Sequence, residues 1–198
     1  MAQPFRIAFV PGVTPDKWAR IWRERESAPL ELTLVDDAEQ LAVLHDGRAD
    51  MSLVRLPVDR EGLHLIALYD ERPVVVVPQD HPVAAYDEVV LADLSGEQLV
   101  TDPADVPGWA ELGAPERLPW PPMGPRETVE VVASGTGIAI MPMSLARLHH
   151  RKDVTHRQVT DGPVSSVGLA WLREADDDRC QAFVGIVRGR TANSSRGR

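Results

Sequence analysis

The segment VEVVASGTGIAIMP, Val129 to Pro142, constrains the fold of this chain more than any other. It reads as the end of an amphipathic helix, a turn punctuated by Gly135 and Gly137, a short apolar strand and a proline stop. Glycine accepts backbone angles and close approaches that a side chain obstructs, so helix and strand can meet tightly there. Ile138, Ala139, Ile140 and Met141 form an unbroken apolar run, which suits a strand covered on both faces. Helix–glycine–strand is ordinary punctuation in α/β proteins, so on its own it speaks to architecture and not to activity.

The N-terminal third repeats the alternation. Phe5 to Val10 reads as a strand, and Thr14-Pro15-Asp16 then supplies an N-cap, a proline at the first helical position and an acid in the first turn. Trp18, Ile21, Trp22 and Arg25 continue at helical spacing, and Leu30 to Val35 is a second strand. Asp36 with Glu39 forms a capping box for a helix that carries Leu41 and Leu44 and closes at Gly47. Ala49 to Leu56 is the third strand. Such a β-α-β-α-β order requires right-handed crossovers and a largely parallel sheet.

The middle changes character. Two strand-like runs, HLIALY and PVVVVP, are separated by Asp70-Glu71-Arg72. Thr101 to Pro125 is rich in proline and glycine, carries Trp109 and Trp120, and shows little periodicity, as expected of loops over a second small lobe. Helices over Arg126 to Ser134 and Ser144 to His150 flank the apolar strand, and Val167 to Leu172 adds another strand. Asp176 to Val187 reads as a last helix, with acids at its start and Cys180, Phe183, Val184 and Val187 on one face. Gly189 to Arg198 is polar and aperiodic and reads as a disordered basic tail.

Composition narrows the function classes. A net charge of −9 argues against a broad nucleic-acid surface, and no apolar run approaches a membrane span. The opening MAQPFRIAFV holds neither a basic leader nor an apolar signal core, so the expected location is cytoplasmic. A single cysteine, Cys180, rules out a disulfide framework and is expected to be buried and inert. His149, His150 and His156 lack a completing acid or cysteine, and Asp176-Asp177-Asp178 lacks the oxygen spacing of a calcium loop, so no metal is expected. Ser134 before Gly135 lacks the spacing of a nucleophile elbow or a phosphate loop. No catalytic constellation and no cofactor motif emerge.

Taken in order, RIAFVPG, LHDGRADMSLVRLP, LYDERPVVVVPQDHPVA, VVLADLSGEQLV, VVASGTGIAIMP and the closing GLAWLRE and FVGIVR resemble the effector-binding domain of LysR-type transcriptional regulators, from about Phe5 to Arg188. The resemblance implies two Rossmann-like lobes of the type 2 periplasmic-binding-protein fold joined by two crossover strands, with an effector in the cleft. On that reading residues 1–72 plus 163–188 form lobe I, 73–162 form lobe II, and 189–198 are the tail. It also implies a small-molecule sensor that acts through protein contacts, without a DNA-binding helix-turn-helix in this chain.

In open α/β sheets ligands bind beyond the carboxyl ends of the strands. Carried over by resemblance, effector contacts fall on Val13, Thr14, Arg55, Thr101 and Pro142. Thr14 reads equally as a plain N-cap, and Arg55 reads equally as one half of a surface pair with Asp50 or Asp59. The resemblance further implies a homodimer through Asp37 to His45 and roughly Val132 to Leu148, or a heterodimer with a full-length regulator, with no direct DNA binding and no membrane. A transporter's solute-binding protein and an enzyme on the same scaffold are the alternatives.

Overall fold

The computed structural model describes residues 3–189. In chain order the elements are β1 (Phe5–Phe9), α1 (Asp16–Arg25), β2 (Leu30–Leu34), α2 (Ala42–His45), β3 (Met51–Leu56), β4 (Leu63–Glu71), β5 (Pro73–Pro78) and β6 (Glu88–Val89). Then follow α3 (Pro125–Ala133), β7 (Ala139–Pro142), α4 (Met143–Leu148), β8 (Val154–Val159), β9 (Ser165–Leu172) and α5 (Asp178–Val187). The chain divides into two compact units: residues up to Tyr69 with those from Ser166 onward, and Asp70–Ser165. β4 runs out of the first unit with only Arg72 between it and β5, and β9 begins at Ser165 and runs back, so each crossing is made by a strand.

The first unit is built on a five-stranded sheet in the order β2-β1-β3-β9-β4. β1 pairs parallel with β2 and β3, as the β-α-β-α-β reading requires, whereas β9 pairs antiparallel with β3. Alternation along β1 sends Phe5 and Ile7 to a face covered by α1 and α5, and Ala8 to the opposite face with Val43 and Leu44 of α2. Phe5 stacks on Trp22 at 4.7 Å between centroids, Phe183 tilts against both, and the Trp22 indole donates to the Ala28 carbonyl at 2.9 Å. Arg6 closes the outer end of β1 by donating to Asp50 through backbone and side chain.

The second unit carries a four-stranded sheet in the order β6-β8-β5-β7. β5 is central and antiparallel to both neighbours. Its valines alternate, Val75 and Val77 joining one apolar cluster and Val74 and Val76 the other. β7 does the same with Ile140 on one side and Ala139 and Met141 on the other, so the strand is indeed covered on both faces. The two glycines before it act differently. Gly135 takes a positive φ of 79°, whereas a Cβ on Gly137 would meet the Gln98 carbonyl oxygen at 2.2 Å, because Leu99 and Ile138 form a parallel bridge there.

Several local expectations need correction. α1 starts at Asp16 with Pro15 in the capping position and no side-chain cap, so exposed Thr14 is not the N-cap. Asp36 makes no cap bond either; Asp37–Glu39 is a short 3-10 turn and α2 is a single turn. Leu44 is buried and Leu41 is partly buried against the same cluster of its own unit. The polar strand β8 was not foreseen. The proline-rich stretch holds only 3-10 turns, Pro103–Asp105 and Ala110–Leu112, with Trp109 buried beneath them. The basic-tail expectation lies, but for Gly189, outside the described residues.

Candidate functional site

β1 and β3 end side by side in the first unit, and one arginine ties their ends together. Arg55 lies near the end of β3, where the Gln40 amide imitates a neighbouring strand: it accepts from the Arg55 N–H at 2.8 Å and donates to the Arg55 carbonyl at 3.3 Å. The guanidinium then donates through Nη1 to both Asp37 carboxylate oxygens, at 3.0 and 2.9 Å, and through Nη2 to the Pro11 carbonyl at 2.9 Å. One nitrogen thus faces both oxygens of the Asp37 carboxylate while the other reaches the loop backbone, so each bond is charge-assisted. Arg55 pairs with Asp37, whereas Asp50 is held by Arg6 and Asp59 accepts from the Glu61 N–H.

The Pro11–Thr14 turn hangs from that arginine. Val10 N–H donates to the Leu53 carbonyl, Gly12 takes a φ of 86°, and Val13 N–H donates back to Val10. Val13 buries its side chain in the core, while Thr14 is exposed. Pro15, which follows, contributes no N–H to the start of α1.

In the second unit the corresponding strand-end residues are Thr101 and Pro142. The Thr101 hydroxyl donates to the Ile140 carbonyl at 3.2 Å and accepts from the Ile140 N–H at 3.0 Å, so a side chain takes the place of a ladder partner for β7. Arg117, which the sequence did not single out, donates to the carbonyls of Val100 and Thr101. Asp102 accepts from the Ala104 N–H and caps the first 3-10 turn. Pro142 ends β7 opposite Pro73, and the next N–H, of Met143, donates to the Arg72 carbonyl. Just beyond, the Ser144 hydroxyl donates to Glu71.

Thus Val13, Thr14 and Arg55 gather at the strand ends of one unit, and Thr101 and Pro142 at those of the other. Asp37, Gln40, Arg117 and Glu71, which brace them, were missed because their spacing in the sequence announces nothing.

Among the described residues no group of three His, Cys, Asp or Glu side chains could hold a metal ion. Burial, reinforced by Arg147, Arg157 and His150, pushes the His156 imidazole down and favours its neutral form. Burial likewise pushes the Cys180 thiol up to about 12, which leaves almost no thiolate at neutral pH. None of the described helices is long and apolar enough to cross a membrane.

Solved structures share this fold. The benzoate-bound effector-binding domain of BenM superposes with a TM-score of 0.74 over 99% of this chain and 95% of its own, at 19% identity. The reduced OxyR regulatory domain of Pseudomonas aeruginosa gives 0.70 over 94% and 96%, at 21% identity. In sequence, the HTH-type transcriptional regulator CatR of Pseudomonas putida is 28% identical over 83% of this chain and 61% of its own length. The hca operon activator HcaR of Escherichia coli is 26% identical over 94% of this chain and 68% of its own. A hydrogen peroxide-inducible genes activator of Pectobacterium carotovorum is 28% identical over 79% of this chain and 56% of its own. The chain therefore spans between about half and two thirds of these relatives. The model of the LysR substrate binding domain matches residues 4–192. The chain belongs to the LysR substrate-binding domain family, the ligand-sensing module of LysR-type regulators.

Proposed function

We propose that this chain senses a small metabolite for transcription regulation in the cytoplasm. The effector is taken up by Val13 backbone, Thr14, Arg55, Thr101 and Pro142, and the signal passes through protein contacts. The observation that carries the reading is the family match over residues 4–192 combined with strand-end loops braced by side chains in both units. Braced loops are what a binding site needs, since a preorganised contact does not lose affinity to ordering. A homodimer, or a heterodimer with a full-length regulator, is the proposed assembly.

BenM's structure with benzoate makes small aromatic carboxylates the first class to test. Arg55 already serves Asp37, so an anionic effector would share that guanidinium or displace the acid. Peroxide sensing, suggested by the OxyR likeness, is disfavoured by one cysteine that is buried with a thiol at about 12. The test is a thermal-shift screen of benzoate and related metabolites, followed by calorimetry. A hit whose affinity drops about tenfold or more in Arg55→Met supports the site, on the scale of one charge-assisted hydrogen bond. A hit indifferent to Arg55→Met and Thr101→Val would place the effector elsewhere.

A further inference from the structure

Glu71 is an acid inside the fold: its residue is 7% exposed, at the last position of β4, where the chain has just entered the second unit. One carboxyl oxygen accepts from the Ser144 hydroxyl, at the second residue of α4 directly after β7. The other accepts from the Ser165 hydroxyl at 3.5 Å, at the first residue of β9, where the chain is about to leave. One side chain thus joins the outgoing crossing, the returning crossing and the segment that follows Pro142. The backbone bond from Met143 N–H to the Arg72 carbonyl lies beside it, so the Pro142–Ser144 segment is held twice. A buried carboxyl group needs such donors, because an unsatisfied one is costly, and two hydroxyls converging on it make the arrangement a specified one.

We propose that Glu71 is a positioning residue for the Pro142 end of the site and a clasp through which the state of that end reaches the Ser165 crossing. The proposal rests on the effector reading only for its second half. Any ligand that shifts Pro142 or draws on the Ser144 hydroxyl changes the bond to one oxygen of a group whose other oxygen holds Ser165. Occupancy is thereby felt at both chain crossings without Glu71 touching the ligand.

Hydrogen–deuterium exchange on the full chain tests it. Glu71→Ala should accelerate exchange roughly tenfold in peptides covering residues 142–146 and 163–167, with little change around β1. Ser165→Ala, a mild change at a partly buried site, should transmit to 142–146, and Ser144→Ala to 163–167. A merely local packing role would not produce that crossed pattern. Glu71→Gln, which keeps one acceptor oxygen, should restore protection to an intermediate level. Benzoate supplies the ligand arm, where binding to wild type should alter exchange at 163–167 and fail to do so in Ser144→Ala. If benzoate does not bind, the crossed exchange pattern alone still decides the clasp, and the effector reading is judged separately. Exchange effects confined to each mutated segment, with Glu71→Gln no better than Glu71→Ala, would overturn the proposal.

Discussion

Each unit holds a strand end by a side chain bonded to both backbone groups of one residue, Gln40 on Arg55 and Thr101 on Ile140, but the first adds an ion pair. In the first, a long charged side chain reaches outward: Arg55, its side chain 12% exposed, spans to Pro11 and to Asp37, which is 46% exposed. In the second, a short hydroxyl works at close range, Thr101 bonding both backbone groups of Ile140. A half-exposed ion pair is screened by salt and tolerates a small displacement. A hydroxyl locked between two main-chain groups does neither. The difference makes the Arg55 strand end the adaptable one and the Thr101 strand end the fixed one.

Gly137→Ala should produce the largest effect, and it falls beside the fixed strand end. The added methyl group would overlap the Gln98 carbonyl, a backbone atom that cannot rotate away. Overpacking of this kind costs about 3 kcal/mol, and β7 with its Thr101 tie should loosen first. Urea unfolding by tryptophan fluorescence, set beside Gly47→Ala, checks it. Gly47 has open space around it but a φ of 64°, so its cost should be nearer 1 kcal/mol on the order seen for strained glycine sites. Equal costs would mean that the Leu99–Ile138 bridge is not the constraint we describe.

Thr101→Val keeps shape and removes the hydroxyl. It leaves the Ile140 N–H and carbonyl without their side-chain partner, at a cost of about 2 kcal/mol. Arg55→Met should cost less, about 1 kcal/mol, because Asp37 and the Pro11 carbonyl can turn to water. The contrast sharpens with salt. Raising the ionic strength should narrow the gap between wild type and Arg55→Met and leave the Thr101→Val gap unchanged. A salt-insensitive Arg55 would erase the distinction between the two strand ends.

How much of this was legible depends on how local the signal is. Strands β1, β5 and β7 and helices α1 and α5 announce themselves because burial imposes a period on neighbouring residues. Gly137 was also legible, since a glycine between a helix and an apolar run marks a close approach. β8 was not: only Val154 and Val159 are buried, and the residues between them, Thr155 to Gln158, are polar and half-buried, so no alternation shows. It is a strand because β5 offers it a ladder. Arg55 was readable as a charge near the end of β3, but its pairing with Asp37 was not, because Asp37 is brought near by a turn that Gln40 docks against β3. The burial of Leu41 and Leu44 within their own unit was hidden for a related reason. The second face of the first sheet, made by Ala8, Val54 and Ala170, is far from them in sequence and covers them in space.

The smallest prediction concerns a hydroxyl in the first unit that behaves opposite to Thr101. Ser52 lies on β3, in register with Ala8 on one side and Ala170 on the other. All three point into the same apolar face, with Val54 next along the strand. Ser52 is wholly buried, and its hydroxyl has no partner among the described residues. Thr101 lends β7 two hydrogen bonds, whereas Ser52 spends desolvation and recovers nothing in return. Ser52→Ala should therefore raise stability slightly, by up to about 1 kcal/mol, with no new cavity beyond one oxygen atom. Thermal and urea unfolding will read it. A loss instead of a gain would show that the hydroxyl is satisfied, by a buried water for instance, and Ser52 would then be a second close-range tie on β3 beside that of Gln40.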